Sequence, residues 1–137
     1  MFTGLRAGSF EIKKYGFYAI VSFYAFAGLN HFIMPSFYLP LIPDYFQPKS
    51  TYNILAGLAE VTLAIGLYTP RFRKLSGAGV ILLLLIFIPA HLHFIKVGGC
   101  ISDSLCVPIW IAWGRLLLIH PLLIYWAYSY RSYQHPA

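Results

Sequence analysis

The sequence predicts an all-α fold: an integral membrane four-helix bundle in a single domain, residues 1–137. Both termini are expected in the cytoplasm, with a short aromatic, proline-rich outer cap between helices 1 and 2. Three observations lead there. Charged residues make up 10% of the 137 and apolar residues 59%, with a mean hydropathy of +0.69. An ordinary soluble domain carries about 25% charged residues, and one this small has too much surface for so few charges to cover. Four apolar stretches, spanning 15–34, 51–69, 75–95 and 107–128, each reach the roughly 20 residues that cross a ~30 Å hydrocarbon core as a helix. Lys and Arg gather in alternate flanks of these stretches. Period-two alternation is missing, which excludes a β-barrel. In lipid that leaves helices, because their backbone groups are satisfied within the segment.

The first stretch follows Lys13-Lys14 and runs through Met34 without a polar break. It passes Ala25-Phe26-Ala27, which resembles a signal-peptide cleavage site, but its length reads as a retained span. Pro35, Pro40, Pro43 and Pro48 then exclude one continuous helix, and the Phe and Tyr content of this segment suits an ordered cap at the interface. Thr69-Pro70-Arg71-Phe72-Arg73-Lys74 reads as a tight turn, and Gly98-Gly99 opens a loop. Arg6, Lys13, Lys14, Arg71, Arg73, Lys74 and Arg131 mark one side, against Lys49 and Lys96 on the other. By the positive-inside rule the first side is cytoplasmic. The expected location is a bacterial inner (cytoplasmic) membrane.

The net charge of +6 does not indicate a nucleic-acid partner. Every basic residue except Arg115 lies in a span flank, and no basic stripe is interleaved with aromatics. The partners expected are the lipid bilayer and a second membrane protein or further copies of this chain.

Ionisable groups inside spans are costly and are by default candidates for function. Here they are His31, Glu60, His91, His93, Arg115 and His120. At 1.5 Å per residue, Glu60 and Arg115 lie about 13 and about 12 Å below the outer surface, so they are expected to pair. Such a pair either fixes helix register or forms the charged wall of a ligand pocket. Asn53, Gly57, Glu60 and Ala64 share one helical face of small or polar residues. His31 and His91 share an outer level and are expected to roof the pocket. His91 and His93 lie about 200° apart on a helix, so they do not naturally chelate one ion. His31, His91 and His93 are the only metal candidates, and no metal is expected. His120 lies about 140° around the helix from Arg115 and is left outside the site. Cys100 and Cys106 share one short outer loop. In an oxidising compartment this reads as a disulfide.

Several strings together resemble one family. They are Gly28-Leu29-Asn30-His31-Phe32 with Pro35 and Phe37; Ala56-Gly57-Leu58-Ala59-Glu60 with Gly66-Leu67; His91-Leu92-His93-Phe94; and Trp113-Gly114-Arg115-Leu116 followed by Leu122-Leu123-Ile124-Tyr125-Trp126-Ala127. Their order and placement resemble the DoxX-like membrane proteins, related to DoxD and MauE and distantly to the NACHO-type chaperones. That resemblance implies a four-helix membrane bundle and an association with redox work, including quinone reduction and thiol systems. His31, Glu60, His91 and Arg115 fall on the polar positions of the pattern. The chain departs from it at Ile119, where many relatives carry a glutamine.

Two functional readings follow. In the first, the protein is a redox-associated component that binds a quinone or similar apolar ligand in an outer-half pocket through His31, Glu60, His91, Arg115, Asn30 and Asn53. In the second, it is a non-catalytic membrane chaperone or subunit that stabilises a partner membrane protein. The sequence leaves open whether the protein is an enzyme.

Overall fold

The computed structural model describes residues 3–134, with side chains from residue 11 onward. Helix α1 (Thr3–Ile33) leads into a short helix α2 (Pro35–Tyr38) and a 3-10 turn, Leu39–Leu41. Helix α3 covers Lys49–Tyr68 and α4 covers Arg73–Lys96. Helix α5 (Ile109–Gly114), a π-helical turn (Arg115–Ile119) and α6 (His120–Tyr130) form one continuous fourth rod. Four helical segments, Glu11–Ile33, Lys49–Tyr68, Arg73–Lys96 and Ile109–Tyr130, are long and apolar enough to cross a membrane. No strand is present among the described residues; Cys100 and Cys106 form an isolated antiparallel bridge.

Helix ends fall where backbone chemistry requires. Pro35 has no N–H to continue α1, and it opens α2 at a first-turn position, where that loss is harmless. Thr69 precedes Pro70 and is extended, at φ −81° and ψ 115°, since the α region is disfavoured before proline. Its hydroxyl donates to the Ile65 carbonyl. α4 ends at Gly98 and Gly99, with φ of 85° and 77°, where a side chain would be strained. The Gly99 N–H donates back to the Phe94 carbonyl.

Helix bounds differ from the sequence reading by one or two residues, and by far more at the start of α1. α1 begins at Thr3 rather than near Tyr15, because hydropathy marks the apolar stretch and not the helix, and nothing between 3 and 14 breaks the chain. The fourth helix begins at Ile109 rather than 107, because Pro108 takes the N-cap.

α1 and α3 pack most closely. Phe17, Ile20, Tyr24 and His31 of α1 are buried, as are Asn53, Glu60, Ala64 and Leu67 of α3. Where the helices meet, a Cβ added at Gly28 would stand 2.8 Å from the Gly57 carbonyl oxygen and 2.8 Å from the Val61 nitrogen. Small residues on both sides let the backbones touch, which is how membrane helices gain dispersion contact without a hydrophobic driving force. Below this contact Ile20, Tyr24, Ala64, Leu67, Val80, Leu84 and Ala127 form the apolar core.

The two ends of the bundle differ. At one end lie the α2 cap and the loop closed by the Cys100–Cys106 disulfide. Ser104 Oγ donates to the Phe37 carbonyl at 2.5 Å and ties this loop to the cap. At the other end Arg73, 4% exposed, donates to the carbonyls of Leu67, Tyr68 and Tyr133. It also lies over the Phe17 ring, 4.5 Å from the centroid.

Gly28→Ala is expected to destabilise the fold by about 1–3 kcal/mol through overpacking against backbone that cannot yield. Unfolding in detergent, compared with wild type, measures it; an unchanged midpoint would mean the helices separate freely at this point.

Candidate functional site

The structure distributes the polar candidates over two clusters. The first joins α1 to α3. His31 Nδ1 lies 2.7 Å from Asn53 Oδ1, while Asn53 Nδ2 donates to the His31 carbonyl at 2.8 Å. The second bond orients the amide, so Oδ1 accepts and His31 Nδ1 carries the hydrogen. In the neutral imidazole Nε2 is then left with a lone pair. It points at Glu60 Oε2, 3.6 Å away. With one added proton, held as imidazolium or as carboxylic acid, these two atoms become a donor and an acceptor that face each other. At 3.6 Å the two are too far apart for a direct hydrogen bond.

Two buried polar atoms here lack a hydrogen-bond partner: Glu60 Oε2 and the Tyr24 hydroxyl. Glu60 is 5% exposed and Tyr24 2%, and Tyr24 lies within electrostatic reach of Glu60. Unsatisfied buried polar atoms cost about 1–3 kcal/mol each and call for an explanation. Above them, Tyr38 of the cap stacks on His31 with ring centroids 3.8 Å apart, and Asn30 Nδ2 donates to the Tyr38 hydroxyl at 3.0 Å. Asn30 thus positions the cover rather than the floor.

The second cluster joins α4 to the fourth rod. His120, 4% exposed, places Nε2 2.6 Å from the Leu84 carbonyl; a carbonyl only accepts, so Nε2 donates. The His91 ring meets His120 edge-on at 4.8 Å. Arg115 lies over the Phe94 ring, 5.5 Å from its centroid.

Three expectations are corrected. Glu60 and Arg115 do not pair: Glu60 faces His31, and Arg115 faces Phe94. Equal depth along two helices does not put two residues on facing sides. His31 and His91 do not roof one pocket, because each is held within its own cluster. His120 does belong with the polar residues. The π turn is the reason: the His120 N–H bonds to the Arg115 carbonyl, so residue i+5 stands one turn above residue i. That brings Arg115 and His120 toward one side, where regular α-helical spacing separates them. His93 stands apart from His91, close enough to the cap for its charge to act on Asp44. No group of three or more His, Cys, Asp or Glu able to hold a metal occurs among the described residues.

Sequence reasoning missed Tyr24. Its signal was present: Phe17, Ile20, Tyr24, Gly28 and His31 follow helical spacing, so a face that buries His31 buries Tyr24 as well.

Residues 20–131 match the family model of a domain of unknown function, DUF8561. The chain belongs to that family. No curated protein and no solved structure matches the chain. The DUF8561 segment contains both polar clusters, the cap and the disulfide loop.

Asn53→Leu is expected to destabilise the protein by about 1–3 kcal/mol for each His31 group it leaves unpaired. Combined with His31→Phe, the loss should fall short of the sum of the singles by about 0.5–3 kcal/mol. Additive shifts in a double-mutant cycle would mean that the two side chains are not coupled.

Proposed function

We propose that this DUF8561 protein is an integral membrane protein whose α1–α3 cluster binds the polar head of a quinone or a similar apolar ring bearing oxygens. The observation that carries the reading is the pair of orphaned buried atoms in this cluster, Glu60 Oε2 facing the free lone pair of His31 Nε2, and Tyr24 Oη within electrostatic reach of Glu60. A carbonyl or phenolic oxygen placed there meets both needs. Tyr24 donates to it, and Glu60 donates or accepts according to its protonation. A quinone supplies two-electron, two-proton chemistry when bound. The chain's part is to hold the head group, move a proton between Glu60 and His31, and keep water out under Tyr38. Tyr24 takes the donor role expected of Arg115. The DoxX resemblance points to the same redox setting.

The bilayer placement rests on the four long apolar helices and on a surface dominated by exposed large apolar side chains such as Phe26, Ile33, Leu75 and Trp110. Such a surface is stable in lipid and a liability in water. The positive-inside bias puts the Arg73 end in the cytoplasm and the cap outside.

A specific observation favours the second reading, a non-catalytic subunit or chaperone. Only 11% of the most apolar window of Ile109–Tyr130 is buried, against 33% for Lys49–Tyr68. The fourth rod therefore offers Trp110, Trp113, Leu117 and Tyr125 to lipid or to a partner helix.

Direct binding of a short-tailed quinone to purified protein tests the first reading. Tyr24→Phe and Glu60→Gln are expected to weaken it roughly tenfold each, the loss of about one buried hydrogen bond, while Arg115→Met leaves it unchanged. Absent binding, or equal binding by all four proteins, favours the second reading. Topology is checked separately, in a background with Cys100 and Cys106 replaced by serine. An impermeant thiol reagent applied from outside should label Ser102→Cys and spare Ser132→Cys; the reverse pattern inverts the orientation.

A further inference from the structure

At the end of the bundle opposite the cap, a cleft of about 470 Å³ opens between the start of α4 and the chain leaving α6. Its walls include Arg73, Lys74, Arg131, Tyr133 and Gln134, and among the described residues no acidic one lines it. The proposed ligand site, about two helical turns away along α1 and α3, makes no use of it.

Arg73 is the informative residue. Its guanidinium is held by three backbone carbonyls, one each on Nε, Nη1 and Nη2. A guanidinium has five N–H donors, so one N–H on each terminal nitrogen remains beyond these bonds. The carbonyls orient the group without neutralising it. No carboxylate pairs with Arg73 among the described residues, whose ion pairs are His31–Glu60 and Lys49–Asp44. A nearly buried, rigid cation with unneutralised charge thus stands at the back of a cleft with two more cations at its rim. Arg131 lies over the Tyr128 ring, 4.2 Å from its centroid, a stacking that engages the face of the guanidinium and not its N–H edge.

Shape and chemistry agree on an oxyanion. A phosphate oxygen accepts the N–H bonds of Arg at the back, and Lys74 and Arg131 offset its charge at the front. The cleft lies at the end of the apolar spans, where phospholipid headgroups stand, and basic pockets between helices at the cytoplasmic surface suit anionic headgroups. We infer that this cleft is a binding site for the phosphate of an anionic phospholipid, with Lys74 and Arg131 as the recognising cations and Arg73 as the positioning one. The inference rests on the bilayer placement and not on the quinone reading. A folded protein that binds no quinone leaves it intact.

The test uses the full chain in mixed micelles, with bound lipid counted by native mass spectrometry. The expected result is one retained phosphatidylglycerol in preference to phosphatidylcholine. Lys74→Gln combined with Arg131→Gln should weaken retention roughly tenfold or more, as the loss of two interfacial charges implies. The pair Lys13→Gln and Lys14→Gln, basic residues outside the cleft, should leave it unchanged. Lys74→Arg should bind as wild type, and an unchanged melting midpoint certifies each fold. If the double variant does not fold, Lys74→Gln against Lys74→Arg decides. Equal retention of the two lipids would overturn the site, as would equal losses in the cleft and Lys13/Lys14 variants. Displacement of the lipid by millimolar inorganic phosphate at constant ionic strength would assign the site to a soluble phosphate and overturn the lipid assignment.

Discussion

Two hydrogen bonds between one asparagine and one histidine organise this bundle. Asn53 accepts from the His31 ring and donates to the His31 backbone. Both residues are buried, away from any solvent partner, so satisfying these groups fixes the relative height of α1 and α3. The small residues one turn away then bring the two backbones into contact. The orientation of the imidazole follows from the amide, and the approach of its second nitrogen to Glu60 follows from the imidazole. The cover of Tyr38 depends on the same ring. Moving Asn53 therefore disturbs the cap and the buried acid together.

Against this fixed frame the polar atoms are unevenly satisfied. Asn53 and Asn30 each hold two segments together, and Arg73 ties three backbone carbonyls while keeping one N–H on each terminal nitrogen in reserve. Within the α1–α3 cluster a carboxylate oxygen of Glu60 and the phenol of Tyr24 are both buried without hydrogen-bond partners, a concentration of unmet bonding in one region. Such concentration is typical of sites that await a ligand or a proton, where local rules are broken while the surroundings obey them. The Arg115–His91–His120 cluster is closer to closure: His120 has its carbonyl and Arg115 its ring.

The sequence revealed the bundle because the hydrophobic runs, the prolines and the basic flanks each act locally. Pro35 and Pro70 end helices whatever surrounds them, and a 20-residue apolar run needs no partner to declare itself. The α3 face of Asn53, Gly57 and Glu60 was equally plain, since helical spacing alone sets it. The partner of Glu60 was not. Depth along a helix is legible, but the rotation of each helix about its axis is set by packing across the bundle, so Arg115 looked equivalent to His31 and was not. His120 was hidden for a different reason. Its placement depends on the π turn, and Leu116-Leu117-Leu118-Ile119 carries no signal that one turn holds an additional residue. Pro121 removes a donor after the turn but does not fix where the irregularity falls.

That turn has a consequence for how the gene can change. A π turn is in effect a one-residue insertion absorbed within a helix. Before it, the fourth rod follows one phase, and after it another, so Ala112 and His120 both face inward although uninterrupted α-helical counting sets them about 80° apart. Four adjacent aliphatic residues look interchangeable, and substitutions among them are. Loss of one of them would also keep the phase, because the helix returns to regular winding with residue 120 still one turn from Arg115; a further inserted residue would instead turn everything beyond by about 100°. His120 and Ala127 would then leave the core. In this stretch an upper limit on length, rather than identity, carries the hereditary information.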